Sequence, residues 1–341
     1  MFAGPSPQGC RRLWQYSPML FDARELAWAA GVVGRCVPPT PQYAWPLLGR
    51  EAGAEVWVKH ENHTPTGAFK VRGGLVYGER MRTERPGVEG IVSATRGNHG
   101  QSLAFAGRAA GIGVTIVVPH GNSPDKNAAM RGFGAELIEH GHDFQAAREH
   151  ASTIGAQRGL ETVPSYHPDL VLGVATYAHE LFNAAGELDA VYVPVGMGSG
   201  IAGIIGVRDL LGLRTEVIGV VAAQAPATAL SVAAGKVVTT ETANTFADGV
   251  ACRVPDADAI AVISRGAARV LTVSEDAVAE AMRVLFVTTH NLAEPAGAMA
   301  LAGLLAERSW VAGRRVAVIQ TGGNVDADLL LEVLSGRTPT S

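Results

Sequence analysis

The run VYVPVGMGSGIAGIIG, residues 191–206, constrains the chain more than any other. A β-branched segment at 191–195 passes through Gly196-Met197-Gly198-Ser199-Gly200 into an apolar helical pattern. A strand, a glycine turn and a helix in that order belong to an α/β fold, because the helix packs back onto the sheet that its strand joins. The same unit recurs. EVWVK (55–59), GIVSA (90–94), VTIVVP (114–119), AELIEH (135–140), TEVIGVV (215–221) and RVAVIQT (315–321) are strand-like and lead into helical patterns. This alternation predicts βαβ units and parallel sheets flanked by helices. With 341 residues, 47% hydrophobic and 18% charged, there is material for one large or two moderate domains. Residues 88–165 hold their own strand–helix–strand–helix run and are expected to form a small mobile domain. It would be inserted into a larger, discontinuous one made of 1–87 and 166–341. Ser123-Pro124 and Ser274 mark helix starts.

The glycine turn carries chemistry as well as shape. Glycines let backbone approach a phosphate, and a helix N-terminus favours its charge. Residues 198–203 also fit the dinucleotide pattern G-x-G-x-x-G. That reading wants an acidic residue about 20 positions on, at the end of the next strand. The strand VIGVVAA, 217–223, ends at Gln224, so a nicotinamide-dependent oxidoreductase is the weaker reading.

Three other segments stand out. In HTPTGAFKVRGG, 63–74, Lys70 lies among glycines beside Phe69. A desolvated lysine loses proton affinity and becomes a usable nucleophile or base, although by itself the segment reads more plainly as a surface lysine at a helix start. In SATRGNHGQSLAFAG, 93–107, the turn Gly97-Asn98-His99-Gly100 opens a helix and offers an anion site, with Asn98 supplying one acceptor and two donors. An ordinary strand-to-helix turn fits it equally. In RVAVIQTGGNVD, 315–326, the hydroxyl of Thr321 ends a strand where α/β sheets bind ligands, and a plain turn is the simpler account of that piece alone.

In this order the four segments resemble the β-family of pyridoxal-phosphate enzymes (fold type II, tryptophan synthase β-like), and within it the threonine/serine dehydratases and serine racemases. The resemblance covers roughly residues 35 to 330. It implies pyridoxal 5'-phosphate held as a Schiff base on Lys70, with Phe69 against the pyridine ring and Asn98 on the ring hydroxyl. It implies a phosphate cradle of Gly196, Met197, Gly198, Ser199 and Gly200, with Thr321 at the pyridine nitrogen. A hydroxyl cannot give that nitrogen a full proton, so the ring stays largely neutral, which suits elimination of a β-leaving group. Thr95, Gly97, Asn98 and His99 would hold the substrate carboxylate. Glu294, in NLAEPAGAMA, matches a family position near the cofactor, and a glutamate before Pro295 is equally an ordinary helix-start acid.

Two departures bear on the reaction. Where relatives place a serine opposite the lysine, this chain has Arg96, a poor proton shuttle and a good carboxylate fork. Substrate anchoring is therefore expected there, and racemisation is not. Metal-binding relatives place an acid after the strand that follows the phosphate-loop helix. The stretch GVVAAQAPATA, 219–229, has none, so no metal site is expected.

The expected function is a pyridoxal-phosphate-dependent ammonia-lyase that converts a β-hydroxy amino acid such as L-threonine or L-serine to a 2-oxo acid and ammonia. Hydroxyaspartate or phenylserine dehydration, β-replacement and racemisation stand as alternatives, with a non-catalytic cofactor carrier further off. Net charge is −4 with no basic stripe, which argues against nucleic acid. The longest apolar stretch, 217–235, is broken by Gln224 and Pro226 and does not read as a membrane span. Cys10, Cys36 and Cys252 form no C-x-x-C pair, and the N-terminus has no secretory apolar region, so a cytoplasmic location is expected; a homodimer is a separate expectation. The short stretch after TGGNVD leaves no room for an appended regulatory domain. His140, His142 and His150 read as solvated surface, whereas His63 and His99 sit inside motifs and are expected to matter.

Overall fold

The computed structural model describes residues 19–340; the N-terminal run with Cys10, Arg11 and Arg12 lies outside them. The strands are β1 (Gln42–Ala44), β2 (Glu55–His60), β3 (Gly90–Ala94), β4 (Gly113–Val118), β5 (Glu136–Glu139), β6 (Glu161–Thr162), β7 (Ala190–Pro194), β8 (Glu216–Ala222), β9 (Arg269–Val273) and β10 (Arg315–Gln320). The helices are α1 (Ala23–Gly34), α2 (Pro46–Ala52), α3 (Lys70–Glu84), α4 (Asn98–Ala110), α5 (Pro124–Gly132), α6 (Phe144–Arg158) and α7 (Pro168–Ala185). They continue as α8 (Ser199–Leu210), α9 (Ala227–Ala234), α10 (Ala257–Gly266), α11 (Glu275–Thr289), α12 (Pro295–Ala306), α13 (Arg308–Val311) and α14 (Ala327–Leu334).

Two sheets result. One has the order β1-β2-β10-β7-β8-β9 and the other β5-β4-β3-β6. Among the described strands only β1 runs antiparallel to its neighbour; the other strand pairings are parallel, as the strand–helix alternation requires. The helix starts follow local chemistry. Ser123 accepts from Lys126 N and Ser274 from Ala277 N, as the sequence predicts, and Asp22 forms a reciprocal capping box with Glu25.

The six-stranded sheet is buried on both faces. Along β10, Ala317 and Ile319 join a core with Val191, Val193, α7 and α8, while Val316 and Val318 join another with Tyr192, α11 and α12. Successive strand side chains point to opposite faces, so a strand covered on both sides must be apolar throughout. Helix α12 is buried from Pro295 to Leu304, which explains why its sequence carries no polar face.

Candidate active site

Strand order decides what can meet. Because β2, β10 and β7 are neighbours, the turns leaving their C-terminal ends converge, in the crevice where parallel sheets take ligands. After β2, Ala68 N donates to Thr64 Oγ1 at 2.9 Å, and Gly67 turns with a φ of 68° that a side chain disfavours. The segment is then fastened to the turn after β10. Phe69 N donates to the Thr321 carbonyl at 3.0 Å, Gly323 N to the Gly67 carbonyl at 2.9 Å, and Asn324 Nδ2 to the Thr66 carbonyl at 2.8 Å. Lys70 opens α3 directly from this clasp. Two residues on, fully buried Arg72 donates to Glu61 Oε2 and to Glu180 Oε1, each at 2.7 Å, which ties α3 to the end of β2 and to α7.

The turn after β7 is equally determined. Gly198 has a φ of 98° and, having no side chain, leaves the first-turn amides of α8 uncapped. A Cβ on Gly196 would lie 2.8 Å from the Gly249 carbonyl, so two backbone segments pass there at glycine distance. Tyr177 Oη donates to the Gly200 carbonyl at 3.1 Å and meets the Phe69 ring edge-on, centroids 6.0 Å apart. Tyr177 thus couples the glycine turn to the lysine turn.

One cavity collects all ten residues expected to hold the cofactor. Phe69, Lys70, Asn98, Gly196, Met197, Gly198, Ser199, Gly200, Glu294 and Thr321 line it, joined by Pro194, Gly249, Val250 and Ala296. Lys70 Nζ lies 5.0 Å from the Phe69 ring centroid. Burial lowers its proton affinity to a pKa of about 8, against the pull of the Glu294 carboxylate. Glu294 is buried, and Asn98 Nδ2 donates to its Oε1 at 2.6 Å, while Oε2 has no partner among the described residues. Burial pushes this carboxyl up to about 7, although the nearby Lys126 ammonium favours its ionised form. Asn324 Nδ2 donates to Asn98 Oδ1 at 2.8 Å, which fixes the asparagine's orientation. Lys126, from α5, reaches Asp248 at 2.6 Å. Burial alone would lower its proton affinity, but the Asp248 and Glu294 carboxylates raise it.

The residues expected to bind substrate are placed differently. Thr95 is buried and its Oγ1 accepts from Gly97 N at 3.0 Å, which shapes the turn. Gly97 caps α4 without a side chain, and a Cβ there would lie 2.7 Å from Lys126 Cδ. Arg96 is exposed and forms no ion pair among the described residues. His99 is buried beside a second, smaller cavity. His63 is exposed and pairs with Asn291 Oδ1 at 2.6 Å, away from these cavities. Its neighbour His60, which drew no attention in the sequence, is buried next to the site. Among the described residues no three His, Cys, Asp or Glu side chains are grouped to hold a metal.

A family model described as pyridoxal-phosphate dependent enzyme matches residues 33–322. The chain is similar to an L-threo-3-hydroxyaspartate ammonia-lyase of Saccharomyces cerevisiae, 29% identical over 91% of this chain and 95% of that one. It is also similar to the biosynthetic L-threonine dehydratase of Escherichia coli, 33% identical over 84% of this chain but only 56% of that longer relative. The solved processed form of threonine deaminase isoform 2 from Solanum lycopersicum superposes with a TM-score of 0.84 at 26% identity, covering 94% of this chain and 95% of its own.

Proposed function

The chain belongs to the pyridoxal-phosphate dependent enzymes and is an ammonia-lyase of that family; from that premise we propose that it acts on a β-hydroxy amino acid such as L-threonine or L-serine, giving a 2-oxo acid and ammonia. The observation that carries this reading is the single cavity lined by Lys70, Asn98, residues 196–200 and Thr321. The cavity suits the cofactor: it has a glycine cradle at an uncapped helix, an amine of lowered proton affinity, and a buried carboxyl with one bare oxygen. Pyridoxal phosphate supplies, when bound, an aldehyde for the amino group and a ring that delocalises the electrons left on Cα.

The chain's own residues do the rest. Lys70 would hold the aldehyde and, once displaced, would take the Cα proton on Nζ. Backbone N–H groups at the start of α8 would bind the phosphate, and those of Asn98 and His99 at the start of α4 would bind the substrate carboxylate, with Thr95 holding that turn through Gly97 N. Asn98 would keep a second Nδ2 hydrogen for the ring hydroxyl, Phe69 would back the ring, and the Thr321 hydroxyl would serve the ring nitrogen without charging it. A homodimer is supported by Phe286, Val287, Leu331 and Leu334, exposed on the neighbouring helices α11 and α14. No described helix is long and apolar enough to cross a membrane.

Arg96 favours a second reading. An exposed arginine without an ion pair among the described residues, next to the carboxylate-binding turn, suits a substrate with a second carboxylate, namely a β-hydroxy dicarboxylate. One set of experiments tests both. Borohydride reduction and peptide mapping should label Lys70, and Lys70→Ala should abolish turnover. A panel of single enantiomers of threonine, serine and hydroxyaspartate, followed for 2-oxo acid and for the opposite enantiomer, should show elimination outrunning racemisation. If hydroxyaspartate leads, Arg96→Ser should raise its KM roughly 10-fold or more, the loss of one charge-assisted pair. Label on another lysine, or racemisation as fast as elimination, would overturn the assignment.

A further inference from the structure

His99 is more than 90% buried, with a relative exposure of 7%. Nε2 of its ring is buried and has no hydrogen-bond partner among the described residues. A neutral imidazole with its hydrogen on Nδ1 presents a bare lone pair there. The ring lines a cavity of about 10 Å³ together with Lys70, Gly73, Ser165, Val174 and Ser199. That volume is about one water, and His99, Lys70, Ser165 and Ser199 carry polar side chains in its lining.

We propose that His99 is a positioning residue for Lys70, its Nε2 accepting a hydrogen bond from the lysine amine, directly or through one water in this cavity, whenever Nζ is released from the cofactor. The inference rests on the assignment of Lys70 as base. When Nζ takes the Cα proton it becomes an ammonium with three N–H donors inside the protein. A buried donor without an acceptor costs free energy, and so does the bare Nε2, and one hydrogen bond relieves both. No proton passes to the ring. Burial first, and the Lys70 charge second, hold the imidazole far below its ordinary pKa, at about 3, so it stays an acceptor over the working pH range. The other charged group facing Lys70 is Glu294, with Lys126 and Asp248 beyond it, and none of these lines the small cavity.

The test compares His99→Leu, which removes the acceptor, with His99→Gln, which restores one at similar reach, and His99→Asn, whose amide is too short to span the cavity. In the cofactor-free protein, competitive acetylation across pH, read at the Lys70 peptide, reports the lysine's titration midpoint. Losing an acceptor that favours the ammonium should lower that midpoint by about one unit in the Leu and Asn variants, with Gln recovering most of the shift. In the holoenzyme, kcat should fall roughly 10- to 100-fold for Leu and Asn with KM little changed, again with substantial recovery by Gln. The asparagine and glutamine pair carries the comparison should the leucine variant not fold. A Lys70 midpoint unmoved in both Leu and Asn, or Gln behaving like Leu, would overturn the proposal. Should the cofactor prove to sit on another lysine, borohydride mapping shows it, while the Lys70 titration still reports whether His99 is its partner.

Discussion

Glu294 has one oxygen held by Asn98 and the other bare, and it is sealed from solvent. Its carboxyl titrates near 7 in the fold, against an ordinary 4.5. A raised acid pKa means that the folded state prefers the protonated form. The stability tied to this group is therefore complete below about 4.5 and is lost as pH rises through about 7. Glu294→Gln keeps an oxygen for Asn98 and never ionises. The cofactor-free variant should gain on the cofactor-free parent as pH climbs from 5 to 8.5, by on the order of 3 kcal/mol at most, or several degrees in Tm. Paired melting curves check this, and a difference that stays flat or shrinks with pH would show that Glu294 ionises freely in the fold.

The glycine turn into α8 belongs to the scale of elements. Gly198→Val would force a β-branched residue to a φ of 98° and bring its Cβ within 2.9 Å of Ala259 Cβ. The strain should cost about 1–3 kcal/mol of stability. Because the first-turn amides of α8 would also be displaced, cofactor affinity should drop further, by roughly 100-fold or more. Fluorescence titration with pyridoxal phosphate against melting temperature separates the two effects, and undiminished cofactor affinity in a folded variant would remove the phosphate from this turn. Turns of this kind were legible in the sequence because their chemistry is local: Gly67 and Gly198 each take a positive φ that their turn requires. Contacts between distant side chains left no such trace. Trp45 Nε1 donates to His60 Nε2 at 3.0 Å, which leaves His60 Nδ1 to donate to Gln320 Oε1 at 2.7 Å, one residue before Thr321. Nothing in the spacing of Trp45, His60 and Gln320 announces that chain, nor the reach of Tyr177 to Gly200. The motif position of His63 drew attention instead to an exposed ring. Strands β1 and β6, three and two residues long, are too short to carry a pattern.

Across the whole molecule, the start of α5, which follows β4 of the four-stranded sheet, contacts segments outside that sheet. Lys126 meets Asp248 at 2.6 Å, and Ser123 Oγ donates to Asp326 Oδ1, also at 2.6 Å. Two contacts from one helical turn hold the four-stranded half against the segments that border the cofactor cavity. A double-mutant cycle on Lys126→Ala and Asp248→Ala should yield a coupling of about 0.5–3 kcal/mol. Amide exchange should quicken in β4 and α5 while the six-stranded sheet keeps its protection. Strictly additive single mutants would mean that the pair holds nothing together. The place of β10 in the sheet has a consequence for how the chain is made. It lies between β2 and β7, joined to both, yet it is the last of the described strands in chain order. Until residues 315–320 leave the ribosome, β1-β2 and β7-β8-β9 are two separate ribbons, each with an open edge. The four-stranded sheet draws only on residues 90–162 and can close long before. A nascent chain therefore carries Lys70 with no partner for the clasp that seats it, and that clasp forms only once residues 321–324 have been made.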